Sequence, residues 1–150
     1  MIDERQRELA YRFDLFVAPD WCERFDRIVT ENAGLPDEGR LLVVNCATGA
    51  TVLDLASKLK TGEVVGADPD PARIAIARSK AQAARTENLV FVDADPLHLA
   101  FDDASFDAVL VDASLSPAAD LGPLTAEAVR VARRGAPVVV ETILRGSFDE

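Results

Sequence analysis

The sequence predicts an α/β domain on a doubly wound, mostly parallel sheet with helices on both faces. Three observations predict it. Short runs that are apolar throughout recur along the chain, as in strands covered on both faces. Between them stand segments with apolar residues at helical spacing, the alternation of βαβ units. The 150 residues suffice for one buried core. Right-handed crossovers then leave few topologies, and the doubly wound one is the simplest.

Each element has its own signal. Leu9, Phe13 and Phe16 follow the spacing of an apolar helix face, and Pro19 interrupts it. Asp20 stands three residues before Glu23 as in a capping box, and Trp21, Phe25 and Ile28 repeat the helical spacing up to Gly34 and Pro36. These two helices, over residues 1–39, are expected to form a cap on the sheet or over its edge. Residues 40–150 form the sheet core of the same single domain. Leu41–Val44 is the first strand, and Ala47-Thr48-Gly49 turns it into a helix carrying Val52, Leu55, Ala56 and Leu59, closed by Gly62. Glu63–Ala67 is the second strand. Asp70 caps, and Pro71 opens, a helix running to about Arg85 with Ile74, Ala77 and Ala81 inward. Leu89–Val92 and Ser105–Val111 are the third and fourth strands. Leu121–Arg134 is a helix with Leu124, Ala128 and Val131 on one face and Gly135 at its end. Pro137–Val140 begins the fifth strand, its proline at the edge where a missing N–H is tolerated.

Composition narrows the function. The formal net charge is −10, with 49% hydrophobic and 28% charged residues. These are globular values, and the negative surface disfavours nucleic acid as a partner. The basic run Arg130 to Arg134 falls where a helix dipole favours cations, before Gly135. No apolar run reaches the roughly 18–20 residues that span a bilayer, and the start carries no signal-peptide pattern. The chain is therefore read as cytoplasmic, without a membrane partner. Cys22 and Cys46 lack metal spacing and read as buried thiols. His98, the only histidine, reads as a surface or loop residue. No metal site is expected.

In a doubly wound sheet, ligands bind beyond the carboxyl ends of the strands, where the winding reverses. Asp68, Asp95 and Asp112 fall at or just after the second, third and fourth strands and converge on that rim. Asp68 lies nineteen positions after Gly49, near the roughly 20-residue interval between a nucleotide loop and the carboxylate that takes both ribose hydroxyls. That spacing alone fits NAD, a nucleotide or S-adenosylmethionine.

From about Arg12 to its end, the chain resembles the class I S-adenosylmethionine-dependent methyltransferases. Leu41-Leu42-Val43-Val44-Asn45-Cys46-Ala47-Thr48-Gly49 is similar to that family's first motif, an acidic residue followed by glycines in GxGxG spacing. Glu63-Val64-Val65-Gly66-Ala67-Asp68-Pro69 resembles the second-strand motif, which implies that Asp68 takes the ribose beside Pro69. Phe91 to Phe101 resembles the segment whose aspartate binds the adenine amino group, here Asp95, with Pro96 beside the ring. Ser105 to Val109 and Glu127 to Gly135 match the fourth strand and the approach to the fifth. The resemblance implies a Rossmann-like methyltransferase fold, S-adenosylmethionine as cofactor with S-adenosylhomocysteine as product, and a small molecule or protein as acceptor. Asn45, Ala47 and Gly49 would line the cofactor loop, and Asp112, near the transferring methyl, would orient or deprotonate the acceptor.

The departures are specific. Val43 replaces the acidic residue that helps hold the methionine ammonium, and Asn45 and Ala47 replace the leading glycines. Glycine serves there because it adopts φ > 0 and lets backbone approach a ligand. The family's last helix and strand pair are expected to be missing, since Arg145 to Glu150 ends where that helix should begin. This leaves a sheet edge for a homodimer or a larger parent chain. A second reading follows: a catalytically inactive binding or scaffold module acting through such contacts. A nicotinamide-dependent oxidoreductase is disfavoured by the absence of GxGxxG.

Overall fold

The computed structural model describes residues 1–114 and 121–142. The segment Arg145 to Glu150, where the resemblance places the start of a further helix, lies outside them. Two helices, α1 (Glu4–Phe16) and α2 (Cys22–Asn32), come first. The sheet then alternates with helices: β1 (Glu38–Val44), α3 (Ala50–Lys58), β2 (Thr61–Asp68), α4 (Pro71–Ala83), β3 (Leu89–Asp93), β4 (Ala108–Asp112), α5 (Leu121–Val131) and β5 (Val138–Glu141). All pairings are parallel, in the order β3-β2-β1-β4-β5, so the winding reverses between β1 and β4. This is the doubly wound sheet the sequence predicts.

Strand alternation sends side chains to two cores. Leu41, Val43, Val64, Phe91 and Leu110 pack under α3 and α4, and Val29 of α2 joins them. Leu42, Val44, Val65, Val109 and Val111 face α5 together with Leu99 and Phe106. Register decides what happens at the rim. Asp68 lies opposite Asp93, and Asp112 opposite Glu141, each as the last paired residue of its strand. Four carboxylates therefore end neighbouring strands at the same edge.

The two leading helices depart from expectation. Asp3 caps α1, its Oδ1 accepting from Gln6 N at 2.7 Å while Gln6 Oε1 accepts from Asp3 N at 3.0 Å. Leu9 and Phe16 do not face the core and are 56% and 71% exposed. α1 meets α4 rather than the sheet. It does so through Ala10, an Asp14–Lys80 ion pair at 2.7 Å and the Arg73 guanidinium 4.6 Å over Phe13. Asp20 caps nothing. The N–H groups of Trp21 and Glu23 are taken by the carbonyls of Val17 and Ala18 in the preceding turn, so the Glu23 donor that a capping box needs is already spent. α2 also turns a different face inward. Cys22 and Asp26 are buried, whereas Phe25 and Ile28 are exposed and Phe25 stacks on Trp21 at 4.5 Å.

Strand limits differ as well. β1 starts at Glu38, and Gly62 lies inside β2 rather than closing α3. A Cβ on Gly62 would sit 1.9 Å from the Gly39 carbonyl oxygen, so close backbone approach demands glycine there. β4 begins at Ala108 rather than Ser105. Phe106 instead bridges to Ala132, with its N–H on the Val131 carbonyl. Arg130 ties down the connection before β4, donating to the carbonyls of Leu99 and Phe101 and pairing with Asp103 and Glu127. Arg133 pairs with Asp107. The basic run is thus largely spent on intramolecular contacts. Among the described residues no helix is long and apolar enough to cross a membrane.

Candidate functional site

The loop after β1 carries three left-handed residues in alternation: Asn45 (φ +58°), Ala47 (φ +50°) and Gly49 (φ +87°). These are the positions where the resemblance has glycine. The geometry of the motif therefore survives two side chains, although a left-handed Ala costs about 1–2 kcal/mol. Backbone and side-chain bonds hold it. Cys46 N donates to the Ala67 carbonyl at 3.0 Å, Gly49 N to the Cys46 carbonyl at 3.0 Å, and Ala47 N to Asp68 Oδ2 at 2.8 Å. Asn45 Nδ2 reaches the Asp112 carbonyl at 2.9 Å, a staple to β4 that glycine has no atoms to make. Gly49 is kept by packing, because a Cβ there would meet Phe91 Cζ at 2.8 Å and Ala77 Cβ at 2.9 Å.

Asp68 is only 1% exposed, and both of its carboxylate oxygens already accept backbone N–H groups, Oδ2 from Ala47 and Oδ1 from Asp70 at 2.9 Å. Burial raises its pKa, while the two N–H bonds and Arg73 pull the other way. In this arrangement the residue clamps the loop. A ribose reaches it only by displacing the Ala47 bond or shifting the loop. Pro69 is exposed beside it.

Ala94 N donates to the Asp68 carbonyl at 3.1 Å, so Asp95 stands one residue beyond a direct link to the tip of β2. Asp95 is exposed and Pro96 half-buried. Its Oδ1 accepts from Leu97 N at 2.9 Å and its Oδ2 faces His98 Nδ1 at 3.1 Å, and both contacts lower its pKa. His98 is a surface loop residue, as the sequence suggests.

Asp112 is 4% exposed, and its Oδ1 accepts from the Ser114 N–H at 2.9 Å and from the Ser114 hydroxyl. Trp21 Nε1 donates to that same hydroxyl at 3.0 Å. The carboxylate faces inward: ligand atoms of Cys22, Asp26 and Asp112 all lie within 4.8 Å of one another. Asp26 also accepts from the Thr51 hydroxyl at the start of α3, and Glu141 interacts with both Asp26 and Asp112. Burial pushes Asp26 up to about 6, aided by Asp112 and opposed by its hydrogen bonds with Thr51 and Glu141, and burial aided by Asp26 and Asp112 pushes Glu141 up to about 8. Burial also pushes the Cys22 thiol up to about 12. Asp26 and Glu141 escaped the sequence reading. Glu141 could have been found by the rule that found Asp68, a carboxylate ending an apolar strand. Asp26 had no signal, because its partners come from strands far along the chain.

The cluster makes stability depend on pH with a definite sign. Both carboxyls bind protons more tightly folded than unfolded, so the folded state gains on acidification and loses as pH rises. For Glu141 the window runs from its ordinary 4.5 to about 8, and for Asp26 from 3.8 to about 6. Glu141→Gln is expected to raise the melting temperature at pH 8, with little effect at pH 5, in parallel thermal melts.

The rim is rich in acceptors and poor in donors, which suits a ligand bringing hydroxyl, amino and cationic groups. Together with the doubly wound sheet, it gives an α/β domain with an acidic rim at the carboxyl ends of its strands. A family description reading "Methyltransferase domain" matches residues 41–135. The chain belongs to this family, the S-adenosylmethionine-dependent methyltransferases of Rossmann-like fold, whose cofactor is S-adenosylmethionine. It is similar to a demethylmenaquinone methyltransferase of Thermus thermophilus, 40% identical over 140 residues, covering 89% of this chain and 61% of that protein. It is also similar to the ubiquinone/menaquinone biosynthesis C-methyltransferase UbiE of a Geobacter species, 29% identical, covering 88% and 58% respectively. The chain thus spans about three fifths of the length of these relatives. Among solved structures, an S-adenosylmethionine-dependent methyltransferase of Aquifex aeolicus superposes with TM-score 0.70 at 15% identity over 97% of this chain and 75% of its own, which supports the fold alone.

Proposed function

We propose that this domain transfers the methyl group of S-adenosylmethionine to a small apolar ring compound of the demethylmenaquinone kind. The similarity to the Thermus thermophilus enzyme carries this reading. The acceptor-rich rim supports it, as do the aromatic side chains of Trp21 and Phe25, whose indole is bonded to Ser114 at the tip of β4. The cofactor supplies an already activated methyl group, so the protein's task is alignment rather than acid–base chemistry. In this reading Asp68 takes the ribose hydroxyls beside Pro69, and Asp95 takes the adenine amino group with Pro96 against the ring. The left-handed loop of Asn45, Ala47 and Gly49 passes beneath the amino-acid part. Asp112, buried and bonded to Ser114, serves as a fixed charge near the methyl rather than as a base open to the acceptor.

The test combines the protein with S-adenosylmethionine and a reduced 2-prenyl-1,4-naphthoquinone lacking the ring methyl. A methylated naphthoquinol in the mass spectrum is the expected product. Cofactor binding by calorimetry without that product would remove the acceptor assignment. Absence of cofactor binding would leave a scaffold module.

A further inference from the structure

We propose that the buried cluster of Asp26, Asp112 and Glu141 is the seat of the cofactor's α-ammonium group, replacing the carboxylate that β1 lacks at Val43. The inference rests on the S-adenosylmethionine reading above and names residues for one part of that ligand.

Val43 is 2% exposed and lies in the apolar core opposite Leu110, so the usual position offers a cation nothing. Two residues beyond Leu110, at the tip of the adjacent strand, stands Asp112. Glu141 is its register partner on β5. Asp26 reaches the same place from α2, a helix outside the sheet. Negative charge absent from one strand end is thus assembled beside it from three separate elements.

The cluster is incomplete as the protein makes it. Asp26 is 95% buried, since its exposure is 5%, and no donor of the described residues serves its Oδ1. Glu141 Oε1 is buried in the same condition. Two acceptors that face each other satisfy one another only when a proton lies between them, and the Asp26–Glu141 pair holds one between its two carboxyls. The other charged or titratable groups around them do not replace that proton. Cys22 holds its own proton, and Arg73 of α4 acts on Asp112 only through space. The proton is a placeholder for a cation. An alkylammonium brings three N–H donors and a full positive charge, which suits three converging carboxylates. Binding then exchanges one cation for another: the ammonium enters, and the proton shared by Asp26 and Glu141 leaves to solvent.

Isothermal titration of the whole chain at pH 7 tests this, in two buffers of different ionisation enthalpy. The two ligands are S-adenosylmethionine and 5′-methylthioadenosine, which keeps the nucleoside and sulfur but lacks the amino-acid part. Expected are release of about one proton with S-adenosylmethionine and none with methylthioadenosine. Asp26→Asn is expected to weaken S-adenosylmethionine about 10–100-fold while leaving methylthioadenosine unchanged, which also shows that the variant is folded. Glu141→Gln is expected to abolish the proton release. Equal effects of Asp26→Asn on both ligands, binding without proton release, or saturable heat from magnesium or zinc chloride alone would each overturn the ammonium seat while leaving the cofactor reading intact. If the wild-type chain binds neither nucleoside ligand, the cofactor reading falls and takes this inference with it.

Discussion

Asp68→Ala is expected to remove S-adenosylmethionine binding and to lower stability at the same time. The two losses have separate origins. Stability falls because the N–H groups of Ala47 and Asp70 lose their acceptors. Each such donor left buried costs about 1–3 kcal/mol, and relief of the buried charge offsets part of that, for a net loss of about 2 kcal/mol. Binding falls because the ribose loses its bidentate acceptor and because the released loop no longer holds Ala47 left-handed. Urea denaturation reads the first effect and calorimetric titration the second. Unaltered cofactor affinity in a destabilised variant would reduce Asp68 to a loop clamp.

Phe106→Ala is expected to cost about 3–5 kcal/mol, the usual range for deleting a buried aromatic ring. Its side chain is 0% exposed, meets the Phe101 ring edge-on at 5.0 Å and lies 4.6 Å beneath the Arg40 guanidinium. Its backbone bonds to Val131 and Arg133 hold the end of α5 against the entrance to β4. The vacated space thus opens where a helix and a strand are joined, with little freedom to collapse. A drop below about 1 kcal/mol in urea unfolding would show that the connection repacks without the ring.

The strands were legible because each is apolar throughout, and a parallel strand covered on both faces has no other way to be written. Leu41–Val44 and Val109–Val111 needed no tertiary information. The Asp70 cap was legible for a similar reason: its bonds to Ala72 and Arg73 are local. What failed was orientation. Phe13, Phe16, Phe25 and Ile28 obey helical spacing, yet spacing does not say which neighbour a helix meets. α1 settles on another helix through Ala10, and α2 presents Cys22 and Asp26. At the site, the carboxylates ending strands were readable because the sheet aligns them. Asp26 was not, since an acidic residue on an amphipathic helix ordinarily faces water. The loop shows a subtler limit. Asn tolerates the left-handed region better than most residues, so Asn45 was compatible with the turn, whereas the left-handed Ala47 was not legible, since the bond from its N–H to Asp68 comes from a distant strand.

The chain contains one tryptophan, and its indole N–H is held by Ser114, whose hydroxyl is given to Asp112. Emission excited at wavelengths that Tyr11 does not absorb therefore originates at a single indole wired to the acidic cluster. A change of charge there is expected to shift that emission without any added dye, and stopped flow would follow the shift in real time.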